Sequence, residues 1–356
     1  MKRFLVLFLS LLMLLSLTAC GKQAADAPAP EPTDAPAAPA ATDAPAAPAA
    51  TDAPAATDAP APDDGLNIAI LYEQDSSMIN TYSLIAVDPA APFADADGKS
   101  VSGVAINTAG AQALIDWLLS SDGAAAIKDY GFADYGEYLF YNLDERPVSN
   151  AEIPQATEET KQIRLSTTTS VNDSGLLAYL LPMFEGAYGY KVEVYSAGTG
   201  KAIANAKYGN ADLILVHSKS QEEAFIADGF GLVANGYEAA RLSFMYNYFV
   251  LIGPKDDPAG CKDAPTVLAA FEQIAAGEFP FVSRGDLSGT HTKELSLWSE
   301  TLGITKEADS VKDYAWYTYS NAGMGTCLTM ANETGAYILS DKATFLTFRA
   351  NGGTAG

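Results

Sequence analysis

Residues 281–298 read Phe281-Val282-Ser283-Arg284-Gly285-Asp286-Leu287-Ser288-Gly289-Thr290-His291-Thr292-Lys293-Glu294-Leu295-Ser296-Leu297-Trp298. Phe281 and Val282 predict the end of a buried strand. Small and polar residues follow, Gly285 and Gly289 among them, and then Leu295, Trp298 and Leu302 recur at helical spacing. Strand, glycine-containing loop and helix, in that order, aim backbone N–H groups at an anion. Ser283, Ser288, Thr290 and Thr292 add hydroxyls, and Arg284 adds a permanent positive charge. The same residues also suit a hydrophilic loop with ordinary helix caps. The neighbouring sequence has to decide.

Upstream, the same design recurs. Ile163-Arg164-Leu165 runs as a strand into Ser166-Thr167-Thr168-Thr169-Ser170, followed by a helix face of Leu176, Leu177, Leu180, Leu181 and Phe184 with Asp173 or Ser174 as its cap. Val192-Glu193-Val194 leads through Ser196-Ala197-Gly198-Thr199-Gly200 to a helix carrying Ile203 and Ala206. Asp212–Val216 leads through His217-Ser218 to a helix starting near Glu222. Three apolar strands that end in hydroxyls or glycine and turn into helices predict a parallel α/β sheet. Ligands sit at the carboxyl ends of such strands, where these hydroxyls gather. Met245–Pro254 predicts a long apolar strand suited to crossing between lobes, Val267–Ile274 a helix, Ala322-Gly323-Met324-Gly325-Thr326 a lead into a helix through Leu328, Ala331 and Thr334, Ala336–Leu339 a strand and Asp341–Phe348 a last helix.

The front of the chain is of another kind. Met1-Lys2-Arg3, the apolar run Phe4–Leu17 and Leu17-Thr18-Ala19-Cys20-Gly21 predict a secretory leader ending in a bacterial lipobox, with Cys20 as the lipid attachment site. A plain signal anchor is the alternative. Residues 21–65 repeat Thr-Asp-Ala-Pro-Ala-Ala-Pro-Ala-Ala from Thr33 and from Thr42. Proline and alanine without an aromatic residue build no core, so this segment predicts an extended tether of at most about 3.1 Å per residue. Leu66–Tyr72 and Tyr82–Val87 predict strands, Ala109–Leu119 and Ala124–Tyr130 helices, and Val148–Lys161 a polar connector. The formal charge is −23, and losing Lys2 and Arg3 with the leader makes the chain more acidic still. That argues against nucleic acid and anionic lipid as partners, yet not against a small anion in a closed site. Cys261 and Cys327 are either two buried thiols or an exported disulfide.

Thr167-Thr168-Thr169-Ser170, Asp212–Ser218, Tyr246–Pro254, Ser283-Arg284-Gly285-Asp286 with Ser288-Gly289-Thr290-His291, and Gly323-Met324-Gly325 together resemble the tungstate-binding proteins of ABC importers, the TupA type. The resemblance spans about Ile163–Phe348. It implies a two-lobed type II periplasmic-binding fold of the α/β class, with mixed sheets flanked by helices and an oxyanion held in the inter-lobe cleft. It further implies an extracytoplasmic protein, lipid-anchored to the cell membrane, that hands tungstate to a membrane permease. Such a protein has no catalytic activity, cofactor or metal centre, and the tungsten is bound only as its oxyanion. Molybdate, phosphate or sulfate on the same fold is the alternative, with a sensor or adhesion module or a secreted Ser/His hydrolase from other classes.

One departure stands out. Features that close the family's chain stand here at its front: the Leu66–Leu71 strand, Asn80-Thr81-Tyr82, Ile115-Asp116-Trp117-Leu118 and Gly136-Glu137-Tyr138-Leu139-Phe140. The sequence reads as a circular permutation, with residues 66–81 and 251–356 as one lobe, 82–250 as the other, and Asp144–Lys161 joining the ancestral ends. The sheets are then complete within one chain, so a monomer is expected.

The resemblance points to Thr168, Thr169 and Ser170, to Ser196 and Thr199, and to Arg284, Ser288 and Thr290 as ligand-binding. An oxyanion that sheds its water needs many donors. Hydroxyls supply them without countercharge, and an arginine offers a bidentate contact. Each group has another reading: helix capping for the first, a glycine-rich turn for the second, and a salt bridge to Asp286 for Arg284. Asp286 bears on the choice of ligand, because hydrogen phosphate needs an acceptor for its proton and tungstate does not. His217 and His291 lack a nucleophile elbow and clustered acids for a metal. Each is read as orienting a loop, with His291 as a further donor.

Overall fold

A computed structural model describes residues 64–73 and 75–354. The leader, Cys20 and nearly all of the tether lie outside the described residues. The strands are β1 (Ile68–Tyr72), β2 (Ile79–Val87), β3 (Tyr141–Asn142), β4 (Gln162–Thr168), β5 (Lys191–Ala197), β6 (Leu213–Val216), β7 (Gly231–Leu232), β8 (Leu242–Pro254), β9 (Phe281–Ser283), β10 (Tyr317–Tyr319) and β11 (Ile338–Asp341).

The fold turns on β8. Its first half pairs antiparallel with β2, placing Leu242 opposite Leu84 and Asn247 opposite Asn80. Its second half pairs with β1 along one edge and β11 along the other, Ile252 facing both Ile70 and Ile338. Beyond β2 the sheet continues through β6, β4 and β5, with β4 parallel to both of its neighbours. Phe281 of β9 forms a parallel bridge with Tyr337, the residue before β11, and β10 runs parallel to β9. One strand therefore serves two layers of sheet.

Burial follows the pleat, since successive side chains face opposite ways. Leu84 and Leu215 join Trp117, Phe184 and Phe244 on one face of the first sheet, while Ile85 and Val216 join Ile203, Phe225 and Phe230 on the other. In the second layer Phe249 and Leu251 pack with Phe271, Phe281 and Trp298; Val250 and Ile252 pack with Leu66, Ile68, Leu328, Phe345 and Phe348. The last helix, Lys342–Ala350, divides its side chains: Phe345 and Phe348 enter the second layer, Ala343 and Leu346 the first.

Some boundaries differ from the sequence reading. β4 runs through Thr168, so Ser166 and Thr167 are strand residues; their buried hydroxyls donate to the carbonyls of Ala202 (2.8 Å) and Leu215 (2.7 Å). Neither Asp173 nor Ser174 stands at the N-cap of the Leu176–Tyr188 helix, although Ser174 Oγ accepts from the Leu176 N–H at 3.3 Å. A short helix, Thr169–Asp173, intervenes, and Gly175 occupies the cap in the left-handed region. The helix after the central loop spans Gly289–Leu295 rather than reaching Leu302. It starts early because Ser288 caps it, accepting from the His291 N–H. Cys261 and Cys327 are free, buried thiols.

Candidate functional site

The carboxyl ends of β4, β5 and β6 meet the loop that follows β9. Thr168 ends β4, Thr169 and Ser170 open the next helix, Ser196 lies near the end of β5, and Thr199 opens the helix Thr199–Lys207. Arg284 follows β9, Ser288 caps the helix Gly289–Leu295, and Thr290 is its second residue.

The two sides touch. Arg284 Nη2 donates to Thr169 Oγ1 across 3.2 Å, and the Gly289 N–H donates to Thr199 Oγ1 across 3.1 Å. Gly289 is packed so closely on the His217 imidazole that a Cβ there would stand 2.4 Å from its Cε1. Only glycine lets that backbone approach the ring. Thr168 and Ser170 share a hydrogen bond of 3.0 Å, and Ser170 is 3.0 Å from His217 Nε2. No hydrogen bond joins Ser196 or Thr290 to this set, although both hydroxyls are buried.

Arg284 is only 3% exposed. Its Nη2 pairs with Asp286 Oδ2 at 2.5 Å, and Asp286 Oδ1 accepts from the Ser288 N–H at 3.1 Å. The salt-bridge reading of Arg284 is thus realised in the geometry, but it leaves the Nε–H free. Arg284 Nε, Ser196 Oγ, Thr290 Oγ1 and His291 Nε2 are all buried without a hydrogen-bond partner among the described residues. His291 Nδ1 accepts from the Leu287 N–H at 3.2 Å, so its proton sits on Nε2, which makes Nε2 a donor. Burial holds His291 below the usual imidazole range, with Asp286 opposing and Arg284 adding to that effect. Buried donors of this kind cost free energy unless something accepts from them. Neutral hydroxyls, an imidazole and one guanidinium form a donor set for an anion rather than a metal, and among the described residues no His, Cys, Asp or Glu cluster could hold a metal ion.

Sequence reasoning missed a second layer. Asn80 on β2 and Asn247 on β8 are buried and bonded to each other at 2.9 Å. Asn80 also reaches His217 Nδ1 at 2.7 Å and the Tyr82 hydroxyl at 2.8 Å, and Asn247 lies 3.4 Å from Asp341. Asparagine inside an otherwise apolar, aromatic strand was the available signal.

Two α/β layers sharing a long strand, with strand-end loops facing each other, define a two-lobed binding protein. The chain belongs to the PBP superfamily, whose domain matches residues 154–355. It is similar to the tungstate-binding protein TupA of Peptoclostridium acidaminophilum, 44% identical over 199 residues, covering 55% of this chain and 65% of that protein. It is also similar to the tungstate-binding protein TupA of Campylobacter jejuni, 33% identical over 182 residues, covering 51% of this chain and 62% of that one. The chain thus spans less than two thirds of the length of both relatives. A solved structure described as the tungstate ABC transporter from Geobacter sulfurreducens is 43% identical, with a TM-score of 0.45 over 53% of this chain and 75% of that one.

Proposed function

We propose that this protein is an extracytoplasmic solute-binding protein, anchored through lipid on Cys20, that captures tungstate between its lobes for an ABC importer in the membrane. It performs no catalysis. One observation carries the reading: Arg284 is buried where loops of both lobes converge, with its Nε–H unpartnered. Ser196, Thr290 and His291 offer further unpartnered donors on the same loops. Thr168, Thr169, Ser170, Thr199 and Ser288 complete the ligand shell, the last two also tying the central loop in place.

Asp286 favours a fully deprotonated oxyanion. Both of its carboxylate oxygens are engaged, one by Arg284 and one by the Ser288 N–H. Engaged in this way Asp286 is a poorer acceptor for the proton of hydrogen phosphate, which favours tungstate or molybdate over phosphate. The named relatives support tungstate.

The lobes are residues 66–81 with 251–356, and 82–250, in a circularly permuted order and a monomer. Two observations support this order. Leu66 packs with Phe345 and Phe348, and the Asn67 N–H donates to Asn332 Oδ1 at 2.8 Å, so the first described strand is built into the same layer as the last helix. The family match, beginning at residue 154, leaves out the front segment that this layer needs.

The test is a thermal-shift and calorimetric panel of tungstate, molybdate, sulfate and phosphate on the purified chain. Tungstate should raise the melting temperature most, because a ligand bound only by the folded state stabilises it. A larger shift with sulfate or phosphate at equal concentration would sink the assignment.

A further inference from the structure

A buried run of hydrogen bonds leads from the last helix to the first hydroxyl loop, and it has a direction. At its far end Asp341 caps the helix Lys342–Ala350. Its Oδ1 accepts from the Thr344 N–H at 2.9 Å and its Oδ2 from the Thr344 hydroxyl at 2.7 Å. An ionised carboxylate only accepts. Asn247 therefore turns its NH2 towards Asp341 and its Oδ1 towards Asn80 Nδ2 and the Tyr82 hydroxyl. That leaves Asn80 Oδ1 facing His217 Nδ1. Nδ1 must carry the imidazole proton, so Nε2 is bare and can only accept. Ser170 spends its hydroxyl proton on Nε2, and Thr168 spends its own on Ser170 Oγ. Held in this way, neither hydroxyl has a proton for an anion.

We propose that anion capture in this site is proton-linked: His217 takes up one proton from solvent at Nε2 and donates it to Ser170 Oγ, freeing the Ser170 and Thr168 hydroxyl protons to turn to the bound oxyanion. The Nε2–H bond forms with a proton given up by an acid in solution, whose conjugate base stays in the solvent; every other change is a redirected hydrogen bond. The inference rests on the oxyanion-binding reading above.

The surroundings of His217 make the step conditional on the ligand. The ring is enclosed by Ser170, by Asn80 and the Tyr82 ring (5.1 Å between centroids) on β2, by Phe249 (6.2 Å) on β8, and by the Gly289 backbone from the other lobe. Arg284 is the charge that acts on it; Asp286 is paired with that arginine, and Asp341 is reached through Asn80 and Asn247. Burial first, and Arg284 second, push His217 down to about 3, so it is neutral at pH 7. A dianion beside Arg284 removes the second cause and attracts an imidazolium. Asp341, pushed up to about 6 by burial, is ionised above pH 7 and keeps the direction of the relay. Because the bound state holds the extra proton, affinity must fall as pH rises.

The experiment is titration calorimetry of the intact chain with sodium tungstate between pH 7 and 8.5, in HEPES and in Tris, whose protonation enthalpies differ. Wild type should take up a measurable fraction of a proton per anion, larger at pH 7 than at pH 8.5, with affinity falling as pH rises. His217→Gln should bind more weakly, with no uptake and a flat pH profile. Because the chain has 2 histidines, histidine ring-nitrogen spectra of wild type give a second readout that needs no His217 variant. Saturating tungstate should convert the His217 ring from the neutral Nδ1–H form to imidazolium, with His291→Gln providing the assignment. Tungstate binding without buffer dependence, with a ring that stays neutral, overturns the inference and leaves the oxyanion reading standing. Uptake retained in His217→Gln overturns it too. Failure of wild type to bind any tested oxyanion removes both.

Discussion

Arg284 concentrates the chemistry of the site in one side chain. Lysine keeps the charge but loses the planar fork that serves Asp286, Thr169 and a ligand together. By calorimetry, Arg284→Lys should weaken tungstate binding about tenfold and Arg284→Ala about a hundredfold, in line with ~1.5–3 kcal/mol for a hydrogen bond to a charged group. Removing the arginine also strands the Asp286 carboxylate, whose side chain is 14% exposed. Pairing Arg284→Ala with Asp286→Asn should recover stability without recovering affinity. Unchanged affinity in the alanine variant would leave Arg284 a structural ion pair only. The arginine stood out in the sequence as a permanent charge among hydroxyls. His217 did too, but its tautomer was not legible, because it is set by Asp341 through two asparagines far away in the chain.

At the scale of elements, the repeated strand–hydroxyl–helix pattern made the parallel β4, β5 and β6 legible, and the long apolar run made β8 legible. Ends were harder. Threonine suits a strand as well as a loop, so nothing local showed that β4 continues through Thr168. The helix Gly289–Leu295 begins inside what reads as loop because its start depends on the Ser288 cap, while Leu297 and Trp298 are buried by the turns beyond it. That helix also bears a close backbone approach between the two sides, at Gly289. Gly289→Ala should lower the melting temperature even without ligand, because the added methyl would stand 2.4 Å from the His217 ring in the structure as it is. It should weaken tungstate binding at least tenfold by wedging a methyl against His217. Equal affinity in that variant would mean that capture does not need this approach.

At the scale of the whole molecule, the described ends lie together. A Cβ on Gly353 would stand 2.6 Å from Leu66 Cδ2. Permutation is tolerated where a cut falls at an exposed site and the old ends can be bridged. Linking Thr354 to Leu66 through a short glycine-rich joint, and opening the chain between the exposed Glu158 and Glu159, should give a folded protein. Its tungstate affinity should lie within about threefold of the starting chain by calorimetry, given that distant changes perturb a site little. A product that stays unfolded, or that pairs into dimers to fold, would argue against the permuted order.

The place of β1 in the chain has a consequence during synthesis. β1 is the first described strand to leave the ribosome, yet its partners are the far end of β8 and the neighbourhood of β11, made much later. β2, β4, β5 and β6 can assemble as soon as the first half of β8 has emerged. Ile68, Ile70 and Leu71 must meanwhile wait without a sheet. An apolar strand lacking its neighbours invites pairing with another chain. The nascent protein is therefore most vulnerable to association at its earliest strand, and that exposure ends only when the last helix arrives to cover Leu66.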